Sequence, residues 1–374
     1  MIRFKRYFDM ILEGGAAGHM MHPFDLPKVK NGNDLIKVFQ AAADSLTSTP
    51  GSVKIDGVNA SIRLAYGDEG NPEFAMDRGS MKKLDIDGIT VNRLEERFPP
   101  GADGSAHGMV AAGTKVLTIF NNAQQYIQKE LKALGMYKNI GPFGRFFDME
   151  YVTGGADTAN VLQYGNDFLA IHGVKMFKKR ISPARQSVSR VSEPVDYDKK
   201  AMQSLIDKVN PIAAAEGFKL FGLVPTHSTG AIDFNNSLNS NFSVFYDDGN
   251  VQTQSLGTWL QGAKHPRASR IKFADGKEQG ALSKAVYLAI LNREQPLSAI
   301  IPDKKHQELA VAGAVIYHGT RMMGNDVLVK LSSPMGGLDT HEGVVVDDKS
   351  ISPNPFKITG EFIVTGMTSR HQNA

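Results

Sequence analysis

Cysteine is absent from all 374 residues, which removes disulfides, thiolate metal sites and cysteine nucleophiles from consideration. That absence fits a reducing compartment, and a cytoplasmic protein is expected. No apolar run approaches the roughly 18 residues that a membrane-spanning helix needs. The basic start at Arg3, Lys5 and Arg6 is followed by Asp9 and Glu13, which interrupt the apolar stretch a signal peptide requires. Strong charge of either sign is also lacking. A net +3 is only a mild lean toward polyanions. Internal repeats and long low-complexity tracts are missing too.

What is present suits a globular α/β or α+β protein of two domains, or one domain with insertions: 41% hydrophobic residues, 22% charged and 37 glycines. Phe4, Phe8, Ile11 and Leu12 predict a short amphipathic helix over 1–13, closed by Gly14-Gly15. Leu35, Val38, Phe39 and Ala42 predict a second over 33–46. Two strands are expected within 52–66 around an Asp56-Gly57 turn, and another at 74–76. A helix follows over 115–134, with strands at 145–152 and 168–175. Beyond these, helices are expected at 198–216 and 279–293, and strands at 326–331, 342–346 and 355–365.

The chemistry concentrates in a few short segments. Lys54-Ile55-Asp56-Gly57-Val58-Asn59 places a lysine at a strand end, held by a tight turn. A lysine attacks only as the neutral amine, and its free pKa of ~10.4 must first be depressed by burial or neighbouring cations. Phe147-Asp148-Met149-Glu150-Tyr151 sets a carboxylate in an apolar strand, and His341-Glu342-Gly343 sets another at the start of a later one. Lys357 lies between apolar residues, where a cation is costly unless it meets a phosphate or a carboxylate. Two carboxylates can hold Mg²⁺, and two lysines can meet a triphosphate, one as nucleophile and one as counter-charge. His19, His22 and Asp25 have metal-like spacing but no further ligand to set a geometry, and read as structural.

Taken in order, these segments resemble the covalent nucleotidyltransferase superfamily of DNA ligases, RNA ligases and mRNA capping enzymes. Lys54-x-Asp56-Gly57 resembles its nucleophile motif, and Asp77-Arg78-Gly79-Ser80 the motif that follows. Asp148-x-Glu150 resembles the third, Glu342-Gly343-x-Val345 the fourth, and Lys357 the fifth. Asn59 is closer to RNA ligases of the second phage type than to DNA ligases. The opening residues also have the look of a bacteriophage protein, so host cytoplasm is the implied location.

The resemblance implies an α+β fold with a ligase-type adenylation core of antiparallel sheets flanked by helices. A nucleotidyltransferase core over 51–175 and 335–374 is expected, after an N-terminal helical segment at 1–50. A large, partly helical accessory domain would be inserted at 176–334. Only residues 358–374 follow Lys357, too few for a C-terminal OB-fold.

ATP and Mg²⁺ are the implied cofactors, with Lys54 as the adenylated nucleophile. Asp56, Gly57, Asn59, Arg78, Glu150, Phe168, Glu342 and Lys357 would bind nucleotide, and Glu150 and Glu342 would help hold the metal. The implied activity is sealing of 5′-phosphate to 3′-hydroxyl ends by a monomer, on RNA more readily than DNA. A compact DNA ligase and a binding protein with a degenerate fold are the alternatives. Thr359 stands where the fifth motif has a second lysine, and His172 where an aspartate is usual. The basic run Lys175, Lys178, Lys179, Arg180, Arg185 and Arg190 would track a nucleic-acid backbone.

Overall fold

The computed structural model describes residues 20–55, 57–101, 104, 106–152, 167–182, 187–247, 249–338 and 341–364. The expected helix over 1–13, together with His19, Asp56 and Arg185, lies outside these residues. Among those described, 57–223 form one compact unit, and 20–55 with 224–364 form a second. Both mix helices with antiparallel sheets, as an α+β protein should. No helix among the described residues is long and apolar enough to cross a membrane.

The first unit is built on a sheet of β2 (Val58–Tyr66), β3 (Pro72–Asp77), β4 (Arg145–Val152), β5 (Phe168–Ser182) and β6 (Ser187–Pro194). Their order is β3-β2-β4-β5-β6 with antiparallel neighbours, and β7 (Lys219–Phe221) joins β5 in parallel. Side chains alternate between the faces of a strand. Ile62, Leu64, Phe147, Met149, Tyr151, Leu169 and Ile171 therefore share one face, where helices Gly108–Ala123 and Lys199–Ala215 bury them with Val116, Phe120, Leu205 and Val209. The opposite face carries the polar residues. The single helix expected over 115–134 is broken into Gly108–Ala123 and Gln128–Ala133. At the break the Gln124 amide donates to the Pro72 carbonyl at 2.8 Å, while Ile127 remains in the core.

In the second unit, β1 (Ser52–Lys54), β15 (Gly343–Val346) and β16 (Phe356–Ile358) form a sheet of order β1-β15-β16. The two strands expected within 52–66 do not pair with each other: β1 pairs with β15, while β2 pairs with β3 and β4. Helix Gly32–Ser48 matches its sequence signal, with Asn31 accepting from the Asp34 amide as N-cap at 2.9 Å. The strand expected over 326–331 is instead the end of a helix, Lys304–Leu328, and strand structure resumes only at Leu331. Val327 and Leu328 sit on the buried stripe that Ala310, Val311, Ala314 and Val315 begin. Gly313 lets this helix approach closely, since a Cβ there would fall 2.0 Å from the Ala281 carbonyl oxygen.

Candidate functional site

The register of the β1-β15-β16 sheet explains how its lysines come together. Val53 pairs with Val344, and Val344 with Ile358; all three are buried. Ser52 pairs with Val345 and Val345 with Lys357, so Lys357 lies on the other face, as does Lys54 two residues beyond Ser52. Glu342, immediately before β15, reaches both amines. Its Oε2 is 3.1 Å from Lys54 Nζ and its Oε1 is 2.8 Å from Lys357 Nζ. Lys54 Nζ also donates to the Ile55 carbonyl at 2.6 Å. The Glu342 side chain is 4% exposed, and those of Lys54 and Lys357 are 14% and 17%. The carboxylate is thus sunk beneath two amines that remain reachable.

Gly343 makes this possible. Its φ of 155° lies where side chains are rarely tolerated, and a Cβ would fall 1.9 Å from the Ile358 carbonyl oxygen. Gly343→Ala is expected to force β15 away from β16 and destabilise the second unit by several kcal/mol. Trp259, the chain's one tryptophan, lies in that unit, so its fluorescence during thermal unfolding checks the effect.

Burial acts to raise the Glu342 carboxyl, but the charges and hydrogen bonds of Lys54 and Lys357 outweigh it and hold it down at about 2. Because the folded value lies below the ordinary 4.5, the stabilisation is complete above pH 4.5 and disappears as pH falls toward 2. The depression corresponds to roughly 3 kcal/mol. The stability difference between wild type and Glu342→Gln is expected to be near that size at pH 7 and to shrink through this window. Denaturant titrations followed by Trp259 fluorescence measure it.

The first unit presents its own polar face. Asn59 pairs with Glu150, Ser61 with Asp148 and Ser61 with Asp77, which sets these side chains on the face opposite the helices. Asn59 Nδ2 donates to Asp148 Oδ1 at 3.2 Å, and Lys175 Nζ is 2.7 Å from Asp148 Oδ2. Burial acts to raise the Asp148 carboxyl, yet Lys175 and His172 outweigh it and the group is held below its ordinary range. The β4–β5 register shifts between Asp148 and Met149, leaving His172 as the extra residue of a bulge. His172 Nε2 thereby comes 3.1 Å from Glu150 Oε2. Arg78 donates from Nη1 to the Asn59 carbonyl and from its main-chain nitrogen to Asp85 Oδ1.

The structure brings Lys54, Glu342 and Lys357 together in the second unit. In the first it brings together Asn59, Arg78 and Glu150, with Gly57 at the start of β2. Phe168 is buried with its ring edge-on to Phe221, and Phe147 faces the helix-covered core. Of the basic run, Lys175 pairs with Asp148, Lys178 with Glu193, and Arg190 with Asp77. Lys179 is exposed and Arg180 is half-buried. Asp148 and His172 join the site without having been singled out as binding residues. Strand alternation could have supplied Asp148, two residues from Glu150, whereas the bulge that turns His172 has no sequence signal.

As a Mg²⁺ ligand Glu342 fits poorly, since each of its oxygens already meets an ammonium group. Glu150 fits better. Mg²⁺ is commonly held through one or two carboxylates together with substrate phosphates, and Asp148 lies on the same face of β4. Among the described residues, no group of three acidic, histidine or cysteine side chains is arranged to enclose a metal alone. Comparison with family models, with curated proteins and with solved structures returned no match to this chain.

Proposed function

We propose that the chain is an ATP-dependent nucleic-acid ligase of the lysyl-nucleotidylate type, with RNA as its preferred substrate. The observation that carries this reading is the buried Glu342 carboxylate shared by Lys54 and Lys357. Two ammonium groups on one carboxylate leave a positive charge in excess, which suits an approaching triphosphate. Lys54 then attacks the α-phosphorus in line: an N–P bond forms, the bond to the β-phosphate oxygen breaks, and pyrophosphate departs. The proton lost from Nζ passes to solvent. Lys357 stays on Glu342 and offsets charge developing on the phosphates. In later steps AMP would pass to a 5′-phosphate, and a 3′-hydroxyl would displace it.

The ligase-type core, and the roles of Asn59, Arg78 and Glu150 toward nucleotide, follow from the sequence resemblance. Mg²⁺, the cofactor that the resemblance implies, would supply charge neutralisation at the phosphates. Incubation with α-labelled ATP and Mg²⁺, followed by denaturing electrophoresis, tests the reading on protein first stripped of bound nucleotide. Label that survives denaturation supports it. Absence of label with ATP, GTP and NAD alike would overturn it and favour a binding protein. Sealing assays on matched RNA and DNA ends then separate the two substrate classes.

A further inference from the structure

On the polar face of the first unit, His172 and Glu150 come close without a hydrogen bond between them. His172 Nε2 lies 3.1 Å from Glu150 Oε2. Yet Nε2 is shielded from solvent and makes no hydrogen bond within the described residues. An imidazole nitrogen bonds in the plane of its ring, so at this distance Nε2 must point past Oε2 rather than at it. A shielded nitrogen of this kind is exceptional. A histidine–glutamate ion pair does not account for it, because such a pair gains its strength from an N–H aimed at the carboxylate. The separation and the divergence do suit two ligands of one cation. Metal–nitrogen and metal–oxygen bonds of about 2.1 Å, set at right angles, hold their donor atoms about 3 Å apart.

The backbone is shaped to make this pair. Asp148 opposes Gly173, and in a regular register Met149 would then oppose His172, turning the ring to the helix-covered side. Ile171 opposes Met149 instead, and the bulge turns His172 toward Glu150. Gly173, which follows, takes a φ of 149°, in the range that favours glycine. Asp148 is engaged elsewhere, by Asn59 on Oδ1 and Lys175 on Oδ2. Lys175 balances Asp148, so the negative charge offered to a cation is that of Glu150. The His172 side chain is 21% exposed, which leaves the ring within reach.

We propose that Glu150 and His172 form a divalent-cation site that takes a first-row transition ion in preference to Mg²⁺. Mg²⁺ favours oxygen ligands, whereas imidazole suits transition ions. Two protein ligands leave the remaining positions to water and to phosphate oxygens. The cation site stands on the geometry of the two side chains. That its ion carries nucleotide phosphates rests on the ligase reading.

The probe is Mn²⁺, added at pH 7.5 to nucleotide-stripped protein without a histidine tag, since a ligating imidazole must be neutral. Electron spin-echo spectroscopy of the bound ion is expected to show modulation from a directly coordinated imidazole nitrogen. His172→Ala and His172→Gln should both lose it, and melting temperatures verify their folding. His172→Ala should also bind Mn²⁺ at least about tenfold more weakly, because even outer-shell partners of a metal ligand contribute that much. An equal concentration of Mg²⁺ should leave the wild-type signal in place. Modulation that persists in both variants would overturn the proposal. So would loss of the wild-type signal to equal Mg²⁺, or a folded wild type that binds no Mn²⁺ at millimolar concentration. Covalent labelling of the same preparations is read separately: labelling without the nitrogen signal refutes the cation site alone. The nitrogen signal without labelling refutes the ligase reading and leaves the cation site.

Discussion

Lys54→Arg is expected to abolish formation of the covalent nucleotide adduct while leaving the protein folded. Arginine can still place a cation near Glu342 and keep that carboxylate neutralised, so the buried charge is not abandoned. It cannot serve as nucleophile, because a guanidinium remains protonated at any accessible pH. The variant thereby separates the two tasks assigned to this side chain. Lys357→Arg provides the contrast, because the counter-charge role asks only for a cation. It should retain labelling, whereas Lys357→Ala is expected to lose roughly 10²- to 10³-fold in rate. Single-turnover labelling at saturating ATP gives these values, and trypsin resistance and melting temperature establish folding. Robust labelling of Lys54→Arg would remove Lys54 from the chemistry.

The second large effect concerns stability and lies in the other unit. Asp77→Asn is expected to cost about 3–5 kcal/mol, the range seen when one partner of a buried ion pair is removed. Asp77 is fully buried between two guanidinium groups. Arg63 Nε lies 2.7 Å from Oδ2, and Arg190 Nη2 and Nη1 lie 2.6 and 2.8 Å from Oδ1 and Oδ2. Arg63 also donates to the Asp85 and Ile86 carbonyls, and Arg190 to those of Ser80 and Pro142. Neutralising Asp77 would take from two buried guanidinium groups the carboxylate that both hydrogen-bond. The exposed pair Lys83–Asp87 is the control, and its removal should change stability by less than about 1 kcal/mol. Thermal unfolding followed by circular dichroism distinguishes the cases.

These residues also show where sequence reasoning reached its limit. Helix Gly32–Ser48 was legible because Leu35, Val38, Phe39 and Ala42 repeat at helical spacing behind a capping Asn31. The longer helix Lys304–Leu328 was not, because Gly313, Gly319 and Gly324 blur its apolar stripe; their value lies in close packing that only the fold reveals. Lys54, Glu342 and Lys357 were legible as short motifs. That one carboxylate bridges both lysines was not, since it depends on the pairing of Lys54 with Gly343 across β1 and β15. Arg190 read as part of a basic run because composition cannot show its buried partner Asp77, more than a hundred positions away. Asp77 in turn belonged to a segment that resembles a nucleotide motif, and its carboxylate serves the interior of the fold.

Peptide mapping of nucleotide-stripped protein, incubated with ATP and Mg²⁺ and then denatured, tests the account most directly. Because Glu342 holds two lysines, the position of any adduct is as informative as its existence. A mass increase equal to one AMP is expected, confined to the peptide that carries Lys54 and absent from Lys54→Arg. An adduct on Lys357, or a protein that binds ATP and acquires none, would contradict it.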